Sequence, residues 1–169
     1  MRCDQGRGQP ASRTSAAGRP CHDISTVRPV DPKSALLDLL ENLRAESIAQ
    51  DAMGLAALYA EDAVHEFPFT TPGGPTRIEG RAAIAEFVGT VYRSLPLRYT
   101  AYRTIAVHQV SETTLVVEQD ALGINTKTGV QFALPNVAVI EVNAEGLIAS
   151  YRDYVNPVAV AEVLGDAAR

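Results

Sequence analysis

The sequence predicts an α+β fold in which a strongly curved, cone-shaped sheet, antiparallel or mixed, wraps around three N-terminal helices. Two observations predict this class. Apolar residues recur at helical spacing between residues 32 and about 91. After Pro96 the pattern changes to period two with many β-branched residues, and turn-forming residues divide this half into successive strands. Helices followed by an antiparallel meander indicate an α+β domain, with a pocket between the sheet and the helices.

The first helix is expected to begin at Asp31-Pro32 and to run to about Gln50, because Asp before Pro suits an N-cap and the first helical position. Asp51 is a suitable N-cap for a short second helix that includes Tyr59. A third helix follows Gly80, and its apolar stripe consists of Ile84, Phe87, Val88 and Val91.

A short strand is expected at Val64–Phe69, before the third helix. Four longer strands are expected at Arg98–Val110, Thr113–Ile124, Val130–Val142 and Leu147–Val155. A last helix should extend from Pro157 to about Leu164, with Asn156 as its N-cap and Gly165 as its C-terminal stop.

Composition limits the functional classes. A chain of 169 residues with 46% apolar content suits one domain with a sizeable core. The formal net charge of -5 gives no basic footprint for nucleic acid, and no apolar run approaches the roughly 20 residues of a membrane span. We therefore expect a cytoplasmic protein whose partners include neither nucleic acid nor membrane.

Residues 1–31 differ from the rest, since they contain five Arg, three Asp and few large apolar side chains. We expect a disordered or non-native tail there, and a folded domain over 32–169. Both cysteines, Cys3 and Cys21, lie in this tail beside His22, but their spacing matches no zinc motif. We expect no metal and no other cofactor.

Asp153 is the main candidate for chemistry. Strand alternation places it on one face with Leu147, Ala149, Tyr151 and Val155. A carboxylate on an apolar face is unfavourable unless it is paired, hydrogen-bonded or used. Desolvation should raise its pKa, so that it could give or take a proton near neutral pH. Tyr151 shares the face and is expected to line the pocket.

Two other polar residues interrupt apolar faces. His65 is in phase with Phe67 and Phe69, and is either a proton shuttle or a core histidine held by one hydrogen bond. Asn136 is in phase with Leu134 and Ala138, and either orients a substrate oxygen or makes a structural hydrogen bond.

Glu118 and Asp120 share one face of their strand, which is either solvated or a site where two carboxyl groups divide acid and base roles. Arg152 should point away from Asp153 and form a structural ion pair, and His108 should lie at the surface. The remaining residues expected to bind substrate are Tyr59, Phe67 and Phe69.

Three segments resemble the SnoaL-like branch of the nuclear transport factor two-like superfamily. They are Leu58 to Phe69 (LYAEDAVHEFPF), Ile78 to Ile84 (IEGRAAI) and Gly146 to Gly165, and the resemblance covers about Pro32 to Gly165. It implies a conical α+β barrel that dimerises through its sheet. Members include polyketide cyclases, ketosteroid isomerases, limonene-epoxide-hydrolase-like enzymes and phenazine-biosynthesis proteins.

The resemblance also bears on individual residues. Asp153 stands where the epoxide hydrolases carry an aspartate in a similar Arg-Asp-Tyr run, and where the phenazine proteins carry an acid before an Asn-Pro helix start. The Arg-x-Asp pair of the epoxide hydrolases is matched by Glu118-Gln119-Asp120. The aspartate is kept and the arginine is not, which argues against plain epoxide hydrolysis.

Two functions follow as hypotheses. One is a cofactor-independent acid/base enzyme of secondary metabolism, with Asp153 as the acid/base assisted by His65 and Asp120. It would cyclise, isomerise or open an epoxide in an apolar, oxygenated small molecule. The other is a non-catalytic small-molecule-binding or dimerisation module, because a fold does not fix a function.

Overall fold

A computed structural model describes residues 32–70 and 74–165, with side chains from residue 35 onward. The expected tail, with Cys3 and Cys21, and the proposed N-cap Asp31 lie outside the described residues. The described residues form the helices α1 (Pro32–Ala49), α2 (Ala52–Ala57), α3 (Arg81–Ser94) and α4 (Pro157–Leu164). Their strands are β1 (Tyr59–Glu66), β2 (Arg77–Glu79), β3 (Leu97–Gln109), β4 (Thr114–Asn125), β5 (Gln131–Val142) and β6 (Ile148–Asp153).

Capping residues define the helix ends as predicted. The Asp51 carboxylate accepts hydrogen bonds from the backbone N–H groups of Met53 and Gly54 at the start of α2. The Asn156 side chain does the same at α4, which ends at Gly165 in the left-handed conformation, with φ of 82°. The prediction that α2 includes Tyr59 was wrong, because Tyr59 begins β1.

The strands form one mixed sheet in the order β2-β1-β6-β5-β4-β3. Only β1 and β6 run parallel; the other neighbours are antiparallel. Pairing shifts register twice between β3 and β4 and once between β5 and β6, and such irregularities increase bending and twist. The predicted α+β class with a curved mixed sheet is confirmed. The expected strand Val64–Phe69 instead starts at Tyr59 and ends at Glu66, and β2 was not predicted.

The main core lies between the inner face of the sheet and helices α1 to α3. It includes Leu40 of α1, Ile84 of α3, Val117 of β4 and Ile148 of β6, all essentially excluded from solvent. A second, smaller core lies between α4 and the far end of strands β3 to β5. The two cores leave an open space between them, which holds the site described below. No helix in the described part of the chain is long and apolar enough to cross a membrane.

The outer face of the sheet is where we predict that two copies associate. Val137 on β5 is 37% exposed there and pairs with Glu118 on β4. Val137→Glu would place a second carboxylate beside Glu118 on this face, and since covering two unpaired charges with a second copy is unfavourable, the variant should be a monomer. Light scattering at micromolar concentration tests this, with Val130→Glu in the β4–β5 turn as the control. A monomeric wild type would contradict the prediction.

Candidate active site

A cavity of about 290 Å³ lies between the helices and the inner face of the sheet. Most of its wall is apolar or aromatic, and its polar side chains come from α1, from α3 and from strands β1 and β3 to β6. Four residues selected from the sequence meet in it, namely His65, Asn136, Tyr151 and Asp153. Two more expected binding residues, Tyr59 and Phe67, also line it. Its volume falls at the lower end of small-molecule pockets, which run from roughly 300 to 1,000 Å³.

Asp153 lies at the end of β6, where strand pairing brings it to Asn136. Ala138 on β5 pairs directly with Asp153, so Asn136, two residues away, projects from the same face beside the carboxyl group. The Asn136 Nδ2 group donates to Asp153 Oδ1. Burial raises the pKa of Asp153 to about 6, while the hydrogen bonds from Asn136 and the Val155 backbone N–H oppose that rise. The pKa thus moves in the direction expected from the sequence.

Four tyrosines surround this carboxyl group. Burial raises the pKa of each phenol, and the Asp153 charge raises it further; these residues are Tyr59, Tyr99, Tyr102 and Tyr151. The pKa of Tyr102 rises to about 12. All four therefore stay protonated at neutral pH and can donate a hydrogen bond to a bound oxygen.

His65 is held between two rings, with Phe67 and Tyr151 each 4.7 Å away by ring centroids. Its Nδ1 lies 3.2 Å from the Tyr59 hydroxyl oxygen, whereas Nε2 has no hydrogen-bond partner among the described residues. Burial lowers the pKa of His65 to about 4. The imidazole is therefore neutral at pH 7 and is a wall and hydrogen-bonding group, not a cationic proton donor.

The face of β4 that carries Glu118 and Asp120 points away from the cavity, so neither side chain reaches the site. Glu118 is exposed, and Asp120 accepts a hydrogen bond from Arg103 Nε at 2.9 Å, away from the cavity. The face that carries Leu115 and Val117 points to the core. Because both faces of β4 carry apolar residues, the sequence pattern did not show which face is the inner one. Asp120 is therefore not a catalytic candidate, nor is Glu118 a substrate-binding one.

Phe69 also lies outside the cavity. It is 58% exposed and makes an edge-to-face contact with Tyr154 beside an open surface depression. The chain leaves β1 after Glu66, so the alternation that linked Phe67 with Phe69 does not continue. Two other expectations agree with the structure, because Arg152 pairs with Glu141 at 2.9 Å and His108 is exposed.

Alternation on β6 is interrupted as well. The register shift opposite Glu141 and Val142 leaves Ile148, not Ala149, fully buried. Beyond the shift, Tyr151 and Asp153 reach the cavity as the sequence predicted.

Sequence reasoning missed a hydrogen-bond network behind Asp153. Gln119 on β4 lines the cavity and pairs directly with Asn136. Its Nε2 lies 3.4 Å from Asn136 Oδ1, and its Oε1 accepts from Arg44 Nε at 2.9 Å and Nη2 at 2.6 Å. Two signals pointed to it. Arg44 follows Leu40 by four residues on the buried face of α1, and Gln119 interrupts the apolar face of β4.

We expect Asp153 and His65 to change stability in opposite directions over the same pH range. The Asp153 pKa of about 6 exceeds its ordinary 3.8. Its stabilising contribution to the free energy of unfolding is therefore present below about pH 4 and is lost as pH rises to 6. The His65 pKa of about 4 is below its ordinary 6.5. Its stabilising contribution to the free energy of unfolding is therefore present above pH 6.5 and is lost as pH falls to 4. Each effect is on the order of 3 kcal/mol, so the two nearly cancel in the wild type.

Single substitutions should reveal each effect. Relative to wild type, Asp153→Asn should gain stability as pH rises from 4 to 6.5, because only His65 still titrates. His65→Phe should lose stability over the same range. Urea unfolding at pH 4.5, 5.5 and 6.5 measures both slopes, and slopes of the same sign in the two variants would refute the assignment.

A curved mixed sheet closed by helices is the architecture of the ketosteroid isomerase-like fold. The chain belongs to the SnoaL-like domain family, whose model matches residues 40–151. It is 31% identical over 128 residues to YesE of Bacillus subtilis (strain 168), a protein of uncharacterised function, covering 76% of this chain and 86% of YesE. It is 32% identical over 130 residues to the uncharacterised PhzA/B-like protein PA3332 of Pseudomonas aeruginosa, covering 76% and 84%.

Solved structures show the same fold. A candidate isomerase from Bacillus subtilis superposes with a TM-score of 0.73 at 29% identity, covering 80% of this chain and 96% of that one. A candidate polyketide cyclase from Xanthomonas campestris gives 0.61 at 22% identity, covering 82% and 100%. RV0760c of Mycobacterium tuberculosis, in complex with estradiol-17beta-hemisuccinate, gives 0.59 at 22% identity, covering 72% and 94%.

Proposed function

We propose that this chain is a cofactor-independent enzyme that transfers a proton at a carbon next to a carbonyl group. Its substrate would be an apolar, oxygenated small molecule of secondary metabolism, and the outcome an isomerisation or a cyclisation. The observation that carries the proposal is the Asp153 carboxyl group, with a pKa of about 6, at the wall of an aromatic cavity lined by protonated phenols. The likeness to a candidate isomerase and a candidate polyketide cyclase supports it.

The proposed chemistry assigns one role to each type of group. The Asp153 carboxylate, which predominates at pH 7, takes a proton from the α-carbon of the carbonyl compound. A phenol of the cavity donates a hydrogen bond to the resulting enolate oxygen. Neutral His65, bonded to Tyr59, fixes that part of the wall. General base catalysis typically supplies about 10²–10⁴-fold, and one oxyanion donor about 10²–10³-fold.

The two outcomes differ in where the proton goes. In an isomerisation, Asp153 returns it to another carbon of the same conjugated system, and the double bond moves. In a cyclisation, the enolate carbon forms a bond to a second carbonyl carbon of the substrate, and Asp153 gives its proton to the new alkoxide. In both cases the carboxylate is regenerated and no redox partner is needed.

Deuterium exchange tests the proposal without knowledge of the natural substrate. A panel of apolar ketones and β-dicarbonyl compounds is incubated with the protein in D₂O, and incorporation at the α-carbon is followed by NMR. The wild type should accelerate exchange of at least one compound that it binds, and Asp153→Asn should not. Binding without exchange would instead favour the alternative of a small-molecule-binding module.

A further inference from the structure

We propose that Arg44 and Gln119 are positioning residues, which fix the direction in which the Asn136 amide faces Asp153. The inference rests on the proposed function, since it concerns the same carboxyl group. It adds a series of hydrogen bonds that runs from Arg44 through Gln119 and Asn136 to Asp153 Oδ1. In this series the order of donors and acceptors can take only one direction.

The direction follows from the donors and acceptors available. An arginine side chain only donates hydrogen bonds. Gln119 must therefore turn Oε1 toward Arg44, from which it accepts two bonds, and this turns Nε2 toward Asn136. Asn136 must then present Oδ1 to Gln119 and Nδ2 to Asp153. A donor facing the carboxyl group favours its ionised form.

Arg44 is itself held from several sides. Its side chain is buried, its Nη2 donates to Thr104 Oγ1 at 3.0 Å, and its Nη1 donates to Glu41 at 2.7 Å. Its guanidinium carbon lies 5.7 Å from the centre of the Tyr102 ring. Because the guanidinium is held in place and has no acceptor atom, Gln119 can only accept from it, and the direction of the hydrogen bonds is fixed.

The other titratable groups around Asp153 carry no charge that would outweigh these hydrogen bonds. The four phenols from β1, β3 and β6, the Tyr92 phenol of α3 and the His65 imidazole are neutral at pH 7. The ionisation of Asp153 in the free protein is therefore set by burial and by the donors that it receives from Asn136 and Val155.

Gln119→Glu should reverse the direction of the hydrogen bonds made by Asn136, with almost no change in the shape of the side chain at position 119. A glutamate keeps the two bonds from Arg44 but has no N–H for Asn136, so the Asn136 amide should turn and present Oδ1 to Asp153. The pKa of Asp153 should then rise by at least about one pH unit, because the protonated form gains a partner. The double variant Arg44→Met/Gln119→Met removes the buried cation together with its acceptor. It should raise the pKa of Asp153 less than Gln119→Glu does, because the Asn136 amide is no longer held in one direction but is not reversed.

The measurement is a ¹³C NMR titration of the aspartate carboxyl groups in the full chain, with the Asp153 signal assigned from Asp153→Asn. Circular dichroism confirms folding, and Arg44→Met alone replaces the double variant if the latter does not fold. Arg44→Lys, which keeps a donor-only side chain, should leave the pKa in place. Arg152→Met is the matched control, because it removes a cation next to Asp153 in sequence but outside the chain of bonds.

A purely structural role for Arg44 and Gln119 predicts no change in the methionine variants, and no change in any variant would overturn the proposal. A rise in Gln119→Glu alone would be explained by the added charge and would also overturn it, as would a rise in the methionine variant alone. These outcomes are independent of turnover. Activity retained by Asp153→Asn would end the proposed function and leave the pKa shifts unaffected.

Discussion

Asp153→Asn should lower turnover by about 10² or more while the protein remains folded. Asparagine keeps the volume of the side chain and a hydrogen-bonding group, but it cannot carry the proton that the proposed reaction moves. The variant should also be at least as stable as the wild type at neutral pH, because it removes a desolvated charge at the cavity wall. The measurements are kcat on a substrate found by deuterium exchange, and urea unfolding at pH 7.

Glu118→Gln is the matched control for this substitution. It makes the same change from carboxylate to amide on the exposed face of β4, and its turnover should equal that of the wild type. Wild-type turnover by a folded Asp153→Asn protein would exclude the carboxyl group as the acid/base. Loss of folding, with no measurable rate effect in the remaining folded fraction, would instead identify Asp153 as a structural partner of Asn136.

Gly123→Ala should destabilise the protein by about 3 kcal/mol or more, which corresponds to roughly 10 °C in Tm. Gly123 lies on β4, where its missing side chain admits the backbone oxygen of Arg98 and the ring of Phe132. A Cβ atom there would be well inside van der Waals contact with both, and a backbone oxygen in a paired strand cannot move aside cheaply. Thermal unfolding followed by circular dichroism measures the change.

Gly89→Ala provides the control for this prediction. Gly89 is also buried, but it lies inside α3, and its nearest neighbours are the flexible end of Arg93 and the Ala52 methyl group at 3.5 Å. Alanine favours a helix interior by about 0.8–1.0 kcal/mol over glycine, so this variant should be no less stable than the wild type. Equal losses in both variants would show that the loss at Gly123 does not come from its close backbone contact.

The sequence predicted those parts of the fold that depend on local chemistry. Asp51 and Asn156 accept the bonds of helix N-caps wherever such residues precede a helix, so the start of α2 and both ends of α4 were predictable. The four long strands were found to within two residues because β-branched residues and turns bound them. Tyr59 was misplaced, since an apolar residue that follows a short helix fits either element.

The site was only partly predictable, for reasons of strand phase. On β5 Asn136 is the one polar side chain in phase with Leu134 and Ala138, and it lines the cavity as expected. On β4 each face carries both apolar and polar residues, and the pattern does not show whether Gln119 or Asp120 points inward. Arg44 was missed because a single basic residue on a helix is usually solvated. Its spacing of four from Leu40 is a weak signal, and the contact with a strand 75 residues further along the chain shows that it is buried.

The parallel pair of β1 and β6 has a consequence for how the chain acquires its shape. Among the described strands, β6 alone joins the hairpin of β1 and β2 to the meander of β3 to β5, and it comes last in sequence order. Until it has left the ribosome, the sheet exists as two pieces with unpaired edges on β1 and β5. Such edges readily pair with other chains, so a nascent or truncated protein that lacks residues 148–153 should be prone to aggregation. The same segment carries Asp153, and the carboxyl group is therefore in place only once the sheet is continuous.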